Sequence, residues 1–295
     1  MNRTWLIAFG LVCGLTACTS LGLLALNTVS TFEDYSRHTD IAYGPAAANR
    51  LDVYLPTHGA PSALVVFFYG GGWNSGDKAN YRFVGAALAA AGIATVIPNY
   101  TLYPKARFPQ FMRDAAAAVA FTRAHAHEWG ADPARLFLIG HSAGAHIVVL
   151  LALDQEYLQQ VGGDDHWLRG VVGISGPYDF LPFTDAYLND VFAPASEFYR
   201  SQPINYVRAN VPPMLLMHGL GDKRVSPNNT RSLAARLEAA GDDVSTQYFP
   251  GASHGDLAAA FSPLRRQPPV LALILDFVAA KSALPPRDQQ AATGG

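Results

Sequence analysis

The sequence predicts an α/β fold in which a mostly parallel central sheet carries helices on both faces. Short apolar runs alternate with longer helix-like runs between residues 50 and 281, an order typical of parallel strands joined by helices. A glycine-flanked serine at 140–144 lies between one such strand-like run and one helix-like run. The chain has 295 residues and is 50% hydrophobic, which is enough to bury one large core.

The predicted strands are of two kinds. Residues 50–55 alternate apolar and polar side chains, which is typical of an antiparallel strand at the edge of a sheet. Continuous apolar runs predict strands that are buried on both faces. These runs cover 63–68, 93–97, 136–139, 170–174 and 213–217, and the last predicted strand is 244–249.

Helices are predicted where good helix formers recur at helical spacing. The predicted ranges are 81–91, 110–129, 143–153, 227–240 and 270–281. The segment 176–211 interrupts the alternation and is rich in aromatic residues and proline. We expect this segment to form a small lid or pocket wall over the site, the alternative being a purely structural excursion.

The composition bears on the kinds of partner that the protein binds. The net charge is −2 and no cluster of lysine or arginine is present, so no nucleic-acid partner is expected. No cysteine or histidine spacing typical of a metal site is visible, and we expect neither a metal nor an organic cofactor. Both cysteines, Cys13 and Cys18, lie near the N-terminus, so no disulfide holds the rest of the chain together.

The N-terminal segment has the features of an export signal. Arg3 precedes a mostly apolar run over 5–17, and small residues follow. Leu15-Thr16-Ala17-Cys18 resembles the lipobox of bacterial lipoproteins. This resemblance implies that a signal peptide over 1–17 is removed and that Cys18 carries a lipid that anchors the protein to a membrane.

The position after the cysteine bears on the membrane. Thr19 stands where an aspartate would retain a lipoprotein in the inner membrane, so the resemblance implies the periplasmic side of the outer membrane in a Gram-negative cell. Residues 18–48 are then anchor and linker, 49–284 the folded domain and 285–295 a disordered tail. An ordinary cleaved signal and an uncleaved membrane helix over 5–26 stay open as alternatives.

Residues 136–144 predict a sharp turn that presents a serine. The apolar run leads into Gly140-His141-Ser142-Ala143-Gly144, and the helix-like run follows at once. A G-x-S-x-G turn between a strand and a helix is typical of a nucleophile elbow, in which the residues two before and two after the serine must be small. Ser142 is therefore the candidate nucleophile.

Two later residues supply the groups that such a serine needs. A serine hydroxyl requires a base, and the base requires a carboxylate that orients it. Asp222 lies in a loop that leaves the predicted strand 213–217, and His254 lies in a small-residue loop after the last predicted strand. We interpret Ser142 as the nucleophile, His254 as the general base and Asp222 as the residue that orients the base.

Five other residues carry suitable groups in less suitable places. His218 belongs to a His-Gly pair at a strand end, where histidine usually serves loop structure. His141 and His146 flank the serine on its own turn and helix and do not readily reach its hydroxyl from the far side. The alternative acids are Asp179, which follows an earlier strand, and Asp256, which is better placed to cap a helix.

A glycine run follows the buried strand 63–68. Glycines let backbone N–H groups approach a developing negative oxygen without interference from a side chain. The run stands directly after a central strand and upstream of G-x-S-x-G, which favours an oxyanion hole over a flexible loop. We assign its donors to Gly71 and Gly72, with the N–H of Ala143 as the other contributor.

Together these motifs resemble the carboxylesterases of the α/β-hydrolase fold. The resemblance runs from about residue 54 to residue 277, and its nearest groups are the hormone-sensitive-lipase-like esterases, the feruloyl and acetyl esterases and the kynurenine formamidases. The motifs are Gly-Gly-Gly-Trp at 70–73, Ser-Gly-Asp-Lys at 75–78, Asn-Tyr at 99–100, Gly-His-Ser-Ala-Gly-Ala-His at 140–146, Asp222 and His254.

The resemblance implies a serine carboxylesterase that hydrolyses short- to medium-chain esters of a small molecule through an acyl-enzyme. An arylformamidase with the same triad and an inactive envelope binding protein are the alternatives. Trp73 and Tyr100 are implied to lie near the substrate, although both also fit a role as packing aromatics. The family's oxyanion motif usually begins with histidine, whereas this chain has Tyr69, whose hydroxyl offers a comparable hydrogen bond.

Overall fold

The computed structural model describes residues 22–30, 33–265 and 267–285. The predicted signal peptide 1–17, the predicted lipidation site Cys18 and residues 286–295 of the predicted tail lie outside the described residues. Residues 22–29 are helical (α1), and the side chain of Asn27 bonds the carbonyl of Ala79 and the N–H of Phe83, at 2.9 and 3.1 Å. Every helix within these described ranges is too short or too polar to span a bilayer.

The strands of the described chain form one eight-stranded sheet, and helices fill most of the connections between them. The strands are β1 (Tyr35–Ala42), β2 (Arg50–Pro56), β3 (Ala63–Phe68), β4 (Ile93–Pro98), β5 (Leu136–His141), β6 (Leu168–Ile174), β7 (Met214–Gly219) and β8 (Val244–Phe249). The further helices are α2 (Arg82–Ala90), α3 (Gln110–Ala124), α4 (Ala143–Leu153), α5 (Gln155–Gln159), α6 (Ala186–Val191), α7 (Asn228–Ala239), α8 (His254–Ala259) and α9 (Val270–Ser282).

The sheet has the order β1-β2-β4-β3-β5-β6-β7-β8 and is parallel from β4 to β8. The β3-α2-β4 connection crosses the sheet in one direction, whereas the β5-α4-β6 and β7-α7-β8 connections cross it in the other. Because such crossovers are right-handed, α2 lies on the opposite face from α4 and α7. The predicted mostly parallel sheet with helices on both faces is confirmed.

The edge of the sheet corrects one prediction. Strand β2, predicted as the edge, lies one position inside it, because β1 pairs with its outer side in antiparallel register. Strand β1 lies within residues 18–48, which were expected to be anchor and linker, so the sheet begins before residue 49. Its sequence Tyr-Ser-Arg-His-Thr-Asp-Ile-Ala is largely exposed and lacks the apolar pattern that marks the inner strands.

The helices agree with the prediction except at a few ends, in α1, which lies within the expected linker, and in three short pieces. Helix α3 ends at Ala124, and the rest of the predicted range 110–129 is a separate 3₁₀ turn over Ala126–Trp129. The short helices α5, α6 and α8 were not predicted, since five or six residues give too little periodic pattern.

The parallel strands bring their carboxyl ends to one edge of the sheet. The loops that leave β3, β5, β6, β7 and β8 therefore meet there, and this edge is where open α/β sheets bind ligands. Strands β3, β5 and β6 are fully buried and carry the loops nearest the centre. The predicted nucleophile and acid lie in these loops, and the predicted base, His254, is the first residue of α8, just after the loop that leaves β8.

Candidate active site

The turn after β5 holds Ser142 in an unusual backbone conformation, with φ 56° and ψ −121°. Close contacts explain why glycine stands two residues before and two residues after it. A Cβ on Gly140 would lie 2.2 Å from the carbonyl oxygen of Gly144, and a Cβ on Gly144 would lie 2.0 Å from that of Phe68. The strand, the turn and α4 thus pack too tightly for any side chain at these positions.

The structure brings the three predicted residues into one hydrogen-bonded chain. The Oγ of Ser142 donates to Nε2 of His254 at 2.9 Å, and Nδ1 of His254 donates to Oδ2 of Asp222 at 2.7 Å. The side chain of His254 is 14% exposed and that of Asp222 is buried. The arrangement is that of a base whose proton sits on the nitrogen facing the carboxylate, leaving the other nitrogen free to accept a proton.

The carboxylate of Asp222 is held by donors on both oxygens. Its Oδ1 accepts the N–H groups of Arg224 and Val225 at 2.8 and 2.9 Å, and its Oδ2 faces Nε2 of His218 at 3.3 Å. Burial by itself would raise the pKa of Asp222, but hydrogen bonds from His218, His254 and Val225 outweigh it and hold the pKa well below its usual range. The acid is therefore an anion.

The other candidates weighed from the sequence lie in structural roles or at the rim. His218 is fully buried, with Nδ1 2.7 Å from Oγ1 of Thr230, and supports the loop of Asp222. Asp256 closes a capping box with Ser253 at the start of α8. Asp179 is exposed on the wall of the cavity.

The glycine loop after β3 lies directly against the nucleophile. A Cβ on Gly70 would lie 2.8 Å from Cβ of Ser142. Gly71 and Gly72 have φ values of 134° and 58°, and a Cβ on Gly71 would lie 2.0 Å from the carbonyl oxygen of Ser75. Gly72 and Ala143 line the cavity beside Ser142, whereas Gly71 is half-buried outside that lining and its carbonyl oxygen accepts the N–H of Ser75.

Tyr69 orders this loop in the place where the resembling family usually has histidine. Its hydroxyl donates to Oδ1 of Asn99 at 2.9 Å, and its ring stacks on Tyr81 and Tyr100 at centroid distances of 5.4 and 5.0 Å. Asn99 also accepts the N–H of Lys78 and donates to the carboxylate of Asp77, so it ties both ends of the loop together.

The position of Tyr100 differs from the expectation that it contacts the substrate. Tyr100 is buried behind the glycine loop, and its hydroxyl donates to the carbonyl oxygen of Tyr69 at 3.2 Å. It does not line the cavity, whereas Trp73 does. An Asn-Tyr pair in a sequence does not indicate how deeply the tyrosine is buried. The sequence alone therefore could not show that Trp73 lines the cavity and Tyr100 does not.

A cavity of about 870 Å³ opens above Ser142. Residues between 177 and 188, in the first part of the segment 176–211, form one part of its wall, and residues 222–227 in the loop that carries Asp222 form another. Trp73 stacks on Phe180 of the first part at 6.0 Å between ring centroids. The lining is mixed, with Phe180, Leu181, Pro182, Tyr187 and Leu188 among its apolar and aromatic residues and Asn74, Asp179, Thr184, Asp185, Lys223, Arg224 and Ser226 among its polar ones.

Within the described ranges, one group of side chains is spaced closely enough for a metal ion. Its members are Asp164, Asp165 and His166, whose ligand atoms lie within 4.8 Å of one another. The group precedes β6, at the opposite end of the strand from the loops of the site. Asp165 is ion-paired with Arg208 at 2.9 Å, so this group has a structural partner already.

Comparison with known proteins identifies the family. The BD-FAE family model matches residues 51–237, a stretch that includes β2 to α7 and the Ser142 and Asp222 positions. The chain belongs to the BD-FAE family. The match ends before β8, so this family member takes its candidate base, His254, from beyond the matched region.

Among curated proteins, this BD-FAE member is similar to named esterases. It is 31% identical over 244 residues to esterase LipC of Mycobacterium tuberculosis, covering 75% of this chain and 60% of that protein. It is 28% identical over 259 residues to a probable isoprenylcysteine alpha-carbonyl methylesterase of Arabidopsis thaliana, covering 80% of this chain and 54% of that protein. The chain thus spans only a little over half the length of these relatives.

Solved structures show the fold. Esterase B from Lactobacillus rhamnosis matches with a TM-score of 0.75 at 18% identity, covering 96% of this chain and 97% of that one. An esterase from the archaeon Pyrobaculum calidifontis also matches with a TM-score of 0.75 at 18% identity, covering 92% and 94%. The family member therefore has the α/β-hydrolase fold.

We predict that Gly144→Ala disrupts the elbow. The new methyl group would overlap the carbonyl oxygen of Phe68 in a fully buried strand, so the expected loss of unfolding free energy is about 3 kcal/mol, measured by urea denaturation of the full chain. Gly255→Ala is the matched control, because a Cβ there has no atom within 4 Å. Equal stability of the two variants would contradict the tight-turn account.

Proposed function

We propose that the protein is a serine carboxylesterase that hydrolyses short- to medium-chain esters through an acyl-enzyme, with Ser142, His254 and Asp222 as its triad. The observation that carries the proposal is the continuous chain of hydrogen bonds from Ser142 through His254 to Asp222, at 2.9 and 2.7 Å. Ser142, at one end of this row of hydrogen bonds, lines a cavity beside the glycine loop. An ester carbonyl group would need to bind in that part of the cavity.

In the first half of the reaction, Oγ of Ser142 attacks the ester carbonyl carbon while Nε2 of His254 takes the hydroxyl proton. The carbonyl oxygen becomes negative in the tetrahedral intermediate. The N–H groups of Gly71, Gly72 and Ala143 are the proposed donors to that oxygen. His254 then gives its proton to the departing alcohol, and the acyl group remains bound to Ser142.

In the second half, water replaces the alcohol. His254 removes a proton from the water as it attacks the acyl carbon, and it returns that proton to Oγ of Ser142 when the acid leaves. The Asp222 anion keeps the proton of the neutral imidazole on Nδ1 and stabilises the imidazolium in both halves. The hydrogen bonds that it accepts from Arg224, Val225 and His254 support this role, since they hold the carboxylate charged and in position.

Esters are favoured over amides as substrates. The curated relatives with the clearest names are an esterase and a methylesterase, and both names denote ester cleavage. An arylformamidase would use the same triad, but its amide leaving group depends more heavily on proton donation by the base. A comparison of N-formylkynurenine with simple esters as substrates distinguishes the two activities.

The lining of the cavity supports short or medium acyl chains. A buried methylene group contributes about 0.8 kcal/mol to binding only when it leaves water for apolar surroundings. Asn74, Thr184, Lys223 and Arg224 interrupt the apolar lining, so a long chain would lie partly against polar groups. Added length therefore gains little binding energy.

We predict that Ser142→Ala lowers kcat for p-nitrophenyl acetate by at least about 10⁴-fold, because the nucleophile is lost. The thermal unfolding of this variant, followed by circular dichroism, should match that of the unsubstituted protein. Ser62→Ala, which changes an exposed serine before β3, is the control and should leave kcat unchanged. Retained turnover in Ser142→Ala would refute the proposed function.

Acyl preference is measurable with p-nitrophenyl esters from acetate to palmitate. We expect kcat/KM to fall by about tenfold or more between the short and the long esters, equivalent to about 1.4 kcal/mol of transition-state binding. A maximum at palmitate, measured below the solubility limit of each ester, would contradict the chain-length part of the proposal and leave the triad untouched.

We also propose that the protein is an exported lipoprotein anchored through Cys18, and the support is the lipobox-like sequence that ends there. Cys18→Ala should move the protein from the membrane fraction to the soluble fraction and remove the lipid mass from the mature N-terminal peptide. Cys13→Ala is the matched control, because it changes the other cysteine of the chain and should leave both readouts unchanged. An unmodified Cys18 in the mature protein would end this proposal.

A further inference from the structure

His141, the residue directly before Ser142, contacts the loop of the candidate base. Its Nε2 lies 3.0 Å from the main-chain carbonyl oxygen of His254, and the two rings lie 4.8 Å apart. A carbonyl oxygen only accepts hydrogen bonds, so Nε2 of His141 carries the proton and donates. This bond joins the strand that carries the nucleophile to the main chain of the residue that activates it.

The ring of His141 is suited to donating this one hydrogen bond. It is 6% exposed, and burial together with the nearby His254 lowers its pKa to about 3, so the ring is neutral and has one proton to donate. Its other nitrogen, Nδ1, is buried and makes no hydrogen bond within the described part of the chain. The bond to His254 is thus the one side-chain hydrogen bond that His141 makes within the described residues.

The segment that leads into His254 is partly exposed to solvent. Gly251 and Ser253, just before the base, are exposed, and Gly251 adopts a left-handed φ of 71°. The capping box of Ser253 and Asp256 shapes the start of α8 but does not reach β5. His141 adds a main-chain contact between this segment and the buried end of β5, beside the bond of the His254 ring to Ser142.

We propose that His141 is a positioning residue that holds the main chain of His254, so that Nε2 of His254 stays within hydrogen-bond reach of Ser142. The inference rests on the proposed function, because it assigns to His141 a role in supporting the triad. His141 does not contact the reacting atoms in this role. Its contribution is to keep the base from drifting, since a misplacement of about 1 Å can cost about 10²-fold in rate.

His146 provides a matched comparison on the other side of the nucleophile. It is fully buried, its Nε2 donates to the carbonyl oxygen of Ser201 at 2.7 Å, and its Nδ1 also has no hydrogen-bond partner among the described residues. The chemistry is the same as at His141, but the carbonyl belongs to the segment 176–211. The His146 ring also lies 5.1 Å from that of Trp73 and 5.7 Å from that of Phe180, which line the cavity, so its replacement acts on the cavity wall and not on the base.

The experiment compares His141→Leu, His141→Gln and His146→Leu in the full chain with p-nitrophenyl acetate. Leucine fills the space without a donor, whereas the glutamine amide places an N–H near the position of Nε2. We expect His141→Leu to lower kcat by about 10- to 100-fold with KM within about twofold, and His141→Gln to recover most of the loss. The rate of Ser142 labelling by a fluorophosphonate should follow kcat. In His146→Leu, the change should fall mainly on KM.

Three outcomes would overturn the proposal: an unchanged kcat in His141→Leu, an equal loss in His141→Gln, or the same isolated loss of kcat in His146→Leu. If His141→Leu does not fold, His141→Asn takes its place, because its shorter amide falls short of the carbonyl. Equal rates in the asparagine and glutamine variants would then refute the proposal, and a higher rate with glutamine would support it. Failure of the triad itself is separate, since it would appear as turnover in Ser142→Ala.

Discussion

The hydrogen bond between Ser142 and His254 is the constraint on which the site depends, because it joins positions 112 residues apart in the chain. Such a bond forms only if the sheet delivers the two loops to the same place. The parallel strands from β4 to β8 do this by bringing their carboxyl ends to one edge. The order and direction of the strands therefore decide which loops are neighbours. The buried core beneath the loops holds the strand ends in place.

Main-chain groups also help to position the side chains of the site. Asp222 is aimed by two N–H groups of its own loop, and the glycine loop lies against Ser142 because no Cβ intervenes. On the opposite side, His141 reaches the carbonyl oxygen of His254. A description of the proposed triad as three side chains omits these contacts, which help to hold Ser142, His254 and Asp222 in place.

Sequence patterns predicted the elements whose burial leaves a strong signal. The apolar strands, the elbow around Ser142 and the loops of Asp222 and His254 were all predictable, because buried strands and strained turns restrict residue type. Strand β1 escaped prediction because it pairs through its backbone while its side chains face solvent. The depth of Tyr100 and the bond from His141 to a carbonyl oxygen were equally hidden, since neither imposes a spacing on the sequence.

Tyr69, which directly precedes the glycine loop, affects how the hydrogen bonds of that loop respond to acid. An imidazole in that place would gain a proton as the surroundings acidify, and its hydrogen bonds would change with it. Burial raises the pKa of Tyr69 far above the neutral range, so its hydroxyl keeps one proton in acid and at neutrality alike. The hydrogen bond from Tyr69 to Asn99 therefore keeps its donor over this range, whatever the pH of the compartment in which the protein resides.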